Sequence, residues 1–510
     1  MGISDAASDS RKVVQASEIL AAIERGEPVE YDGVIVEGDL DLDGLDLSTK
    51  HIERTEDETR MADVLVPPRY VGLTEEAKVV DSSISITNSE IQGGVKFGNA
   101  IFRESVDFRG TNFIGGDAYF YWAQFSGDAY FSDAQFGGDT YFKGTQFGGD
   151  AHFSGTKFDD YARFSDAQFS GDADFWGAQF NGDARFWLAR FSGDADFRWA
   201  QFSGDARFEI AQFSGDAHFE MAQFNRDAHF EMAQFNRDVP FSDAQFSGDA
   251  RFSDARFSGD ADFRWARFGG DACFSDAQFN GDVPFSDAQF GGDANFIGAQ
   301  FGGDAHFWRT QFSGDADFRW AQFSSGGANF GGAKFSSAVC IRWEYVLDKK
   351  EHNYEFYSSL IETYKTLGWF VDAGNCYYQS RINLHQDLPL YYKSIDWILM
   401  VLYGYGVKPI RPLLWSFIFI SVFGLFFWRL GGISPLNKGA SPSLMDSISF
   451  SSAVFLSGTK LFVDKPEHCV RPKTSTRLAT ISRCMFTLER VLGAVLFFLF
   501  LLAVSDTLIS

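Results

Sequence analysis

The sequence predicts an all-β solenoid of square cross-section, followed by an α-helical pair of transmembrane segments. Three observations predict it. Phenylalanine recurs with a strict five–six alternation, a small residue stands two places before each ring, and the C-terminal part holds two long apolar runs. From Phe120 to Phe323 the alternation never breaks, giving nineteen eleven-residue units with the consensus A-x-F-x-x-A-Q-F-[SGN]-G-D, which use 38 of the 58 phenylalanines.

The residue two before each of these rings is Ala 32 times, and otherwise Thr (140, 145, 156, 310) or Val (239, 283). In an extended segment residues i and i−2 share a face, so Phe and Ala both point inward, one large and one small. Each corner is expected to use the Gly of Gly-Asp for unusual backbone angles and the Asp for an Asx-type turn. A single unit cannot bury its rings, whereas stacked coils can.

Four such segments make a coil of 22 residues, and the outward residues between Ala and Phe test that length. Taken every 22 residues, one series collects Arg163, Arg185, Arg207 and Arg251, and the other collects Asp174, Asp196 and Asp262. An eleven-residue coil would mix the two. The remaining faces carry mostly Gln, whose amides can stack.

Small-x-Phe at this spacing resembles the pentapeptide-repeat family, whose signature is A-[DN]-[LF]-x-x, over Val95–Phe335. The resemblance implies a right-handed quadrilateral β-helix. Phe97 to Phe335 would then form about eleven coils, a rod of roughly 50 Å at ~4.8 Å per coil. Spacings of seven, at Phe113–Phe120 and Phe323–Phe330, predict bulged corners at both ends. Residues 34–45 and 82–91 alternate like strands without the Phe code and read as less regular opening coils. A helix near Ser17–Arg25 stops at Gly26, and 52–78 reads as a charged loop.

After Phe335 the pattern turns helical. Tyr357, Leu360, Ile361, Tyr364 and Leu367 share one face, Gly368 closes that helix, and a second runs through Ala373–Arg381. The pair reads as a cap over the last coil, because open sheet edges need cover. In residues 395–411, Gly404-Tyr405-Gly406 reads as a turn at a membrane surface, with Trp397, Tyr403 and Tyr405 as interfacial aromatics. Apolar runs then predict spans at about 412–430 and 484–505. The second takes in Glu489 and Arg490, placed at the interface or paired within the bundle, and 445–460 is a candidate re-entrant segment. The domains expected are 1–94, 95–335, 336–394 and 395–510.

Span, short segment, span resembles the two-transmembrane pore domain of potassium-channel-like proteins. The matching residues are Asp446, Ile448, Phe450, Ser451 and Phe455, then Leu488, Glu489 and Gly493 opening the second span. The resemblance implies a homotetrameric pore with Phe455, Leu456, Ser457, Gly458, Thr459 and Lys460 as its loop. A potassium filter requires T-V-G-Y-G carbonyls in place of the ion's water. This stretch offers one glycine and a cation, so the resemblance does not extend to potassium selectivity.

Charge narrows the function classes. Residues 408–510 hold 11 Lys+Arg against 5 Asp+Glu, and the remainder holds 33 against 64. A nucleic-acid binder needs a basic stripe, so no nucleic-acid partner is expected. A DNA-mimicking topoisomerase inhibitor, as found among soluble pentapeptide proteins, suits the acidity but not the arginine face or the apolar runs. The five cysteines have no metal-ligand spacing, the eight histidines are dispersed, and no catalytic, metal or cofactor site is expected. The polar N-terminus lacks a secretion signal, which places the repeat domain in the cytoplasm. The sequence thus predicts a multi-pass protein of the cytoplasmic (inner) membrane, with a solenoid that docks an unidentified protein or regulates a pore-like domain. A non-conducting membrane-anchored scaffold is the alternative.

Overall fold

A computed structural model describes residues 11–52, 75–324, 327–347, 354–430, 433–435, 443–457, 468–470 and 477–509. Each strand of the regular repeat pairs in parallel with the strand 22 residues away, as Arg163 with Arg185 and Gln201 with Gln223. At both ends the offset becomes 23, as in Phe113 with Phe136 and Gln311 with Lys334. Those coils contain the seven-residue spacings, so each extra residue is absorbed at a corner. The result is a parallel β-solenoid of about 14 turns. Its faces are sheets of 14, 13 and 13 strands, with the fourth face divided into runs of eight, two and four. The divisions fall at Pro240 and Pro284, whose nitrogens carry no proton to donate. Their carbonyls still accept from Phe219 and Phe263, both at 2.9 Å.

Beyond the eleven coils expected of Phe97–Phe335, the upstream strands join the same sheets, as the opening coils read from the sequence. Val36 lies beside Ile91, 55 residues on. The excess over one coil accommodates an antiparallel pairing of Thr49–His51 with Glu76–Val80. Val14, Val36, Ile84, Ile86 and Ile91 fill the interior there in place of Phe.

Inside the regular coils every ring meets its copy one coil away. Phe186 and Phe208 stack at 4.8 Å with 2° between planes, and Phe208 and Phe230 at 4.9 Å. Across the interior the contact is edge to face, as between Phe197 and Phe208 at 5.3 Å and 89°. Both geometries suit the aromatic quadrupole. Where Thr replaces Ala, its hydroxyl donates to a backbone carbonyl, as Thr145 to Phe120 and Thr156 to Phe131, both at 2.7 Å.

The corners differ from expectation in two respects. In most coils the Gly of Gly-Asp is favoured by close approach and not by its backbone angle, with Asp160, Arg226 and Arg237 at the same position in the others. A Cβ on Gly204 would sit 2.5 Å from the Gly182 carbonyl carbon, and one on Gly215 would sit 2.4 Å from the Gly193 oxygen. The left-handed positions fall elsewhere, two residues after alternate rings, on Trp199, Ile210, Met221 and Met232, with φ of 57–60°. The Asp of Gly-Asp does not close a local turn but accepts the backbone N–H of the Asp one coil on. Asp194 N–H donates to Asp172 and Asp216 N–H to Asp194, both at 2.9 Å. Local Asx-type turns belong instead to the outward aspartates, where Asp196 accepts from Arg198 N–H and Asp174 from Trp176 N–H.

Both ends of the rod are covered. Helix α1 (Ala16–Glu24) buries Ala16, Ile19 and Ile23, and Gly26 ends it at φ 71°. At the other end begins α2 (Tyr354–Thr366), whose Phe356 packs on the rings of Phe330 and Phe335 at 6.1 and 5.6 Å. The chain divides into two compact units, Met1–Ser359 and Leu360–Ser510.

Replacing a stacked ring should cost far more than replacing an outward residue of the same coil. Phe208→Ala is expected to lose about 3–5 kcal/mol through transfer and cavity terms. Gln212→Ala, on the outer surface, is expected to lose under about 0.5 kcal/mol. Denaturant unfolding of the solubilised chain followed by circular dichroism compares them, and equal losses would overturn the inward assignment.

Candidate functional site

The second unit is helical: α3 (Phe370–Asp387), α4 (Leu390–Leu402), a short turn at Gly404–Gly406, α5 (Ile410–Arg429), α6 (Leu444–Ser457) and α7 (Arg477–Ile509). Pro412 sits in the first turn of α5, where a missing N–H is tolerated. Ser443 caps α6 reciprocally: Asp446 N–H donates to its hydroxyl at 3.2 Å, and Ser443 N–H donates to the Asp446 carboxylate at 2.8 Å. Two stretches, Ile410–Arg429 and Thr480–Val504, are long and apolar enough to cross a membrane, and only 22% of either is buried. Leu444–Ser457 is too short to do so.

The three helices α5, α6 and α7 pack together around Phe423, Phe427, Phe450 and Val454. Two glycines set how closely they approach. A Cβ on Gly424 would lie 2.9 Å from the Ile448 Cα, and one on Gly493 would lie 2.1 Å from the Phe455 carbonyl oxygen. Glu489 is fully buried beside this second contact, not at an interface, while Arg490 is exposed. Ser451 Oγ bridges the Glu489 carboxyl and the Ile420 carbonyl oxygen, the latter at 2.9 Å. One polar contact thereby joins all three helices. Of the loop residues expected from sequence, Phe455 is buried, Leu456 is exposed, and Ser457 Oγ donates to the Val454 carbonyl at 2.7 Å. Gly458, Thr459 and Lys460 lie outside the described residues.

A second constellation precedes the first apolar stretch. Asp396, 5% exposed, accepts hydrogen bonds from Tyr405 Oη at 2.6 Å and Arg381 at 2.9 Å, and His385 Nδ1 lies at 2.8 Å. Burial works to raise the Asp396 pKa. The bonds from Tyr405 and His385 and the charges of Arg381 and His385 outweigh it, leaving the carboxyl below its ordinary value. Tyr405 is therefore no interfacial ring: it is buried, under the Arg381 guanidinium, in the left-handed region at φ 53° between Gly404 and Gly406. Arg411, at the start of α5, donates to Tyr378 Oη at 3.0 Å and to the Met400 carbonyl. A cavity of about 380 Å³ adjoins the turn, lined in part by Phe370, Gly374, Tyr405, Val407 and Lys408. The sequence pattern missed this network; its one signal was an acidic residue, Asp396, inside an otherwise apolar helix.

On the solenoid, Arg163, Arg185 and Arg207 occupy consecutive rungs, followed by His229 and Arg251. The column is not a bare basic stripe. Arg185 and Arg207 lie 3.8 and 3.7 Å from Asp183 and Asp205, Arg251 lies 3.3 Å from Asp249, and Arg163 covers the ring of Tyr141. On the opposite face Asp196 and Asp262 are each clasped by the arginine two residues on, and farther along the arginine face Asp317 is clasped by Arg319 in the same way.

A family model described as pentapeptide repeats (9 copies) matches residues 97–146, 120–168, 142–190, 219–264 and 266–311. The solenoid is built of these repeats. No curated protein and no solved structure matches the chain.

Gly493→Ala should drive a methyl group into the α6 backbone and loosen the three-helix packing, at a cost of about 1–3 kcal/mol. Thermal denaturation in detergent measures it, and an unchanged midpoint would contradict the close approach. The Asp396 network should also be acid-sensitive. Because the folded carboxyl titrates below its unfolded value, its contribution is complete above the ordinary carboxylate range, near ~4, and is lost as pH falls through the depressed value. Limited proteolysis around Tyr405 is expected to accelerate on acidification in the wild type, and Asp396→Asn should be susceptible at every pH.

Proposed function

We propose that this chain is a multi-pass protein of the cytoplasmic membrane, whose helical unit assembles as a homo-oligomeric, pore-like complex. In this reading the solenoid is its cytoplasmic docking or regulatory domain. The observation that carries it is the contrast within α5 and α7. Their inner faces close on α6 around Glu489 and Ser451, while most of each apolar stretch stays uncovered. The core helices of a soluble protein would be mostly buried. Contiguous apolar surface of this extent instead suits lipid or further copies of the chain. A buried carboxyl within a span is a mark of function by default, and the order span, short helix, span supports a pore-like assembly.

The loop sequence favours a second reading, a non-conducting anchor for the solenoid scaffold. With one glycine in Phe455–Lys460 the backbone has few positions from which to aim successive carbonyls at an axis. Both readings require insertion, so alkaline carbonate extraction should leave the protein in the membrane pellet, and release to the supernatant would refute both. Bilayer recording from purified protein separates them. The pore-like reading expects currents with weak or no potassium selectivity, shifted toward cations by Lys460→Glu. Silence across four-chain assemblies identified by cross-linking would leave the anchor, and potassium-selective currents would overturn the assignment of the loop.

A further inference from the structure

The solenoid carries a second cluster that neither the repeat nor the membrane reading uses. The eleven residues Ala-His-Phe-Glu-Met-Ala-Gln-Phe-Asn-Arg-Asp occur twice in succession, from Ala217 and from Ala228. In both copies the histidine Nδ1 lies 3.3 Å from the carboxylate two residues on, His218 from Glu220 and His229 from Glu231. Because a coil holds 22 residues, the identical copies face opposite ways and meet different neighbours. One coil before Glu220 stands Arg198, whose charge interacts with that of Glu220. One coil before Glu231 stands Glu209.

Glu209, His229 and Glu231 each bring one potential ligand atom to within 4.8 Å of the others. An independent feature marks two of these three residues. Glu209 Oε2 and Glu231 Oε2 are both shut off from solvent with no hydrogen-bond partner among the described residues. Glu220 Oε2 shares that condition but has the Arg198 charge nearby. The arginines on the rungs beside the trio are turned elsewhere: Arg207 lies 3.7 Å from Asp205, and Arg251 lies 3.4 and 3.3 Å from Asp227 and Asp249. Like charges facing each other on adjacent strands are destabilising, so two carboxylates one rung apart call for a cation between them.

We propose that Glu209, His229 and Glu231 form a binding site for a divalent transition-metal ion of the Zn²⁺ class on the solenoid surface. One imidazole nitrogen and two carboxylate oxygens are ligands such ions accept, with water completing the shell. Ligand atoms around tetrahedral Zn²⁺ stand about 3.4 Å apart, a contraction that side-chain torsions of two glutamates supply. The site is independent of the membrane reading.

The repeat supplies its own control. Full-length protein in detergent, stripped with chelator, is titrated with Zn²⁺ against a chromophoric competitor at pH 7. Glu209→Arg recreates the pairing that Arg198 and Glu220 already make in the same fold, and Glu209→Gln removes the ligand charge at nearly constant size. Loss of an outer-shell partner alone costs about 10–100-fold in metal affinity, so both variants should lose at least about 100-fold in the tightest site. Glu220→Gln, in the twin motif, should leave that site unchanged. Equal affinity in wild type and both Glu209 variants, or an equal loss in Glu220→Gln, would overturn the proposal.

Discussion

The constraint on which the solenoid depends is that each phenylalanine ring must find another ring one coil away. A ring buried in so narrow an interior has few contacts besides its stacked copies and the rings crossing edge to face, as Phe208 has Phe186, Phe230 and Phe197. A register slip of one residue would turn every ring outward, so ring stacking fixes the 22-residue offset and with it every outward column. Where an extra residue enters, the ring stack holds and the corner gives way: Phe113 still stacks on Phe136, at 4.4 Å, across a 23-residue coil.

A parallel stack also repeats every charge at the rung spacing, and the acidic body manages this in two ways. Along the corners, most Gly-Asp carboxylates accept a backbone N–H from the next coil, so a column of like charges is tied to the main chain instead of facing itself. Along the faces, outward aspartates are clasped by arginines two residues on, and outward arginines lean toward the aspartate two residues before. The strong net negative charge therefore coexists with few bare acidic groups. Neither device reaches the inner oxygens of Glu209, Glu220 and Glu231, and of these only Glu220 has an arginine charge, Arg198, one coil before it.

The coil length, inward face and outward columns were legible because they follow from periodicity alone. Conformation at a single position was not. Glycine suggests unusual backbone angles, yet Gly204 and Gly215 are held by contact with the preceding coil, while Trp199 and Ile210 take the left-handed angles at a cost of about 1–2 kcal/mol each. Stacking decides this: the corner that touches its neighbour favours glycine, and the corner that stands clear can carry a tryptophan. Tyr405 misled for a related reason. An aromatic between glycines suggests an exposed turn, but the partner that buries it, Asp396, lies on the helix before it and becomes visible only when α4 folds back. The helix–short helix–helix order and the charge of Glu489 within an apolar run were readable from residue types, and Gly493 only through the resemblance to a pore domain, whereas their contacts with Ser451 and Phe455 were not readable.

Those contacts bear on how the second unit finds one arrangement. In the proposed bilayer setting, lipid is as good an apolar neighbour as another helix, so burial of leucine and phenylalanine would not select a partner face. Selection falls to what lipid does not supply. Gly424 and Gly493 let α5 and α7 approach the backbone of α6 more closely than any side chain would permit. Ser451 then offers the Glu489 carboxyl a partner that lipid lacks, and accommodates the Ile420 carbonyl with the same oxygen. Removing Glu489 from α7 or Ser451 from α6 would leave the same apolar surfaces but no preferred rotation between them. The polar contact, small beside the apolar area around it, is what makes three helices one site.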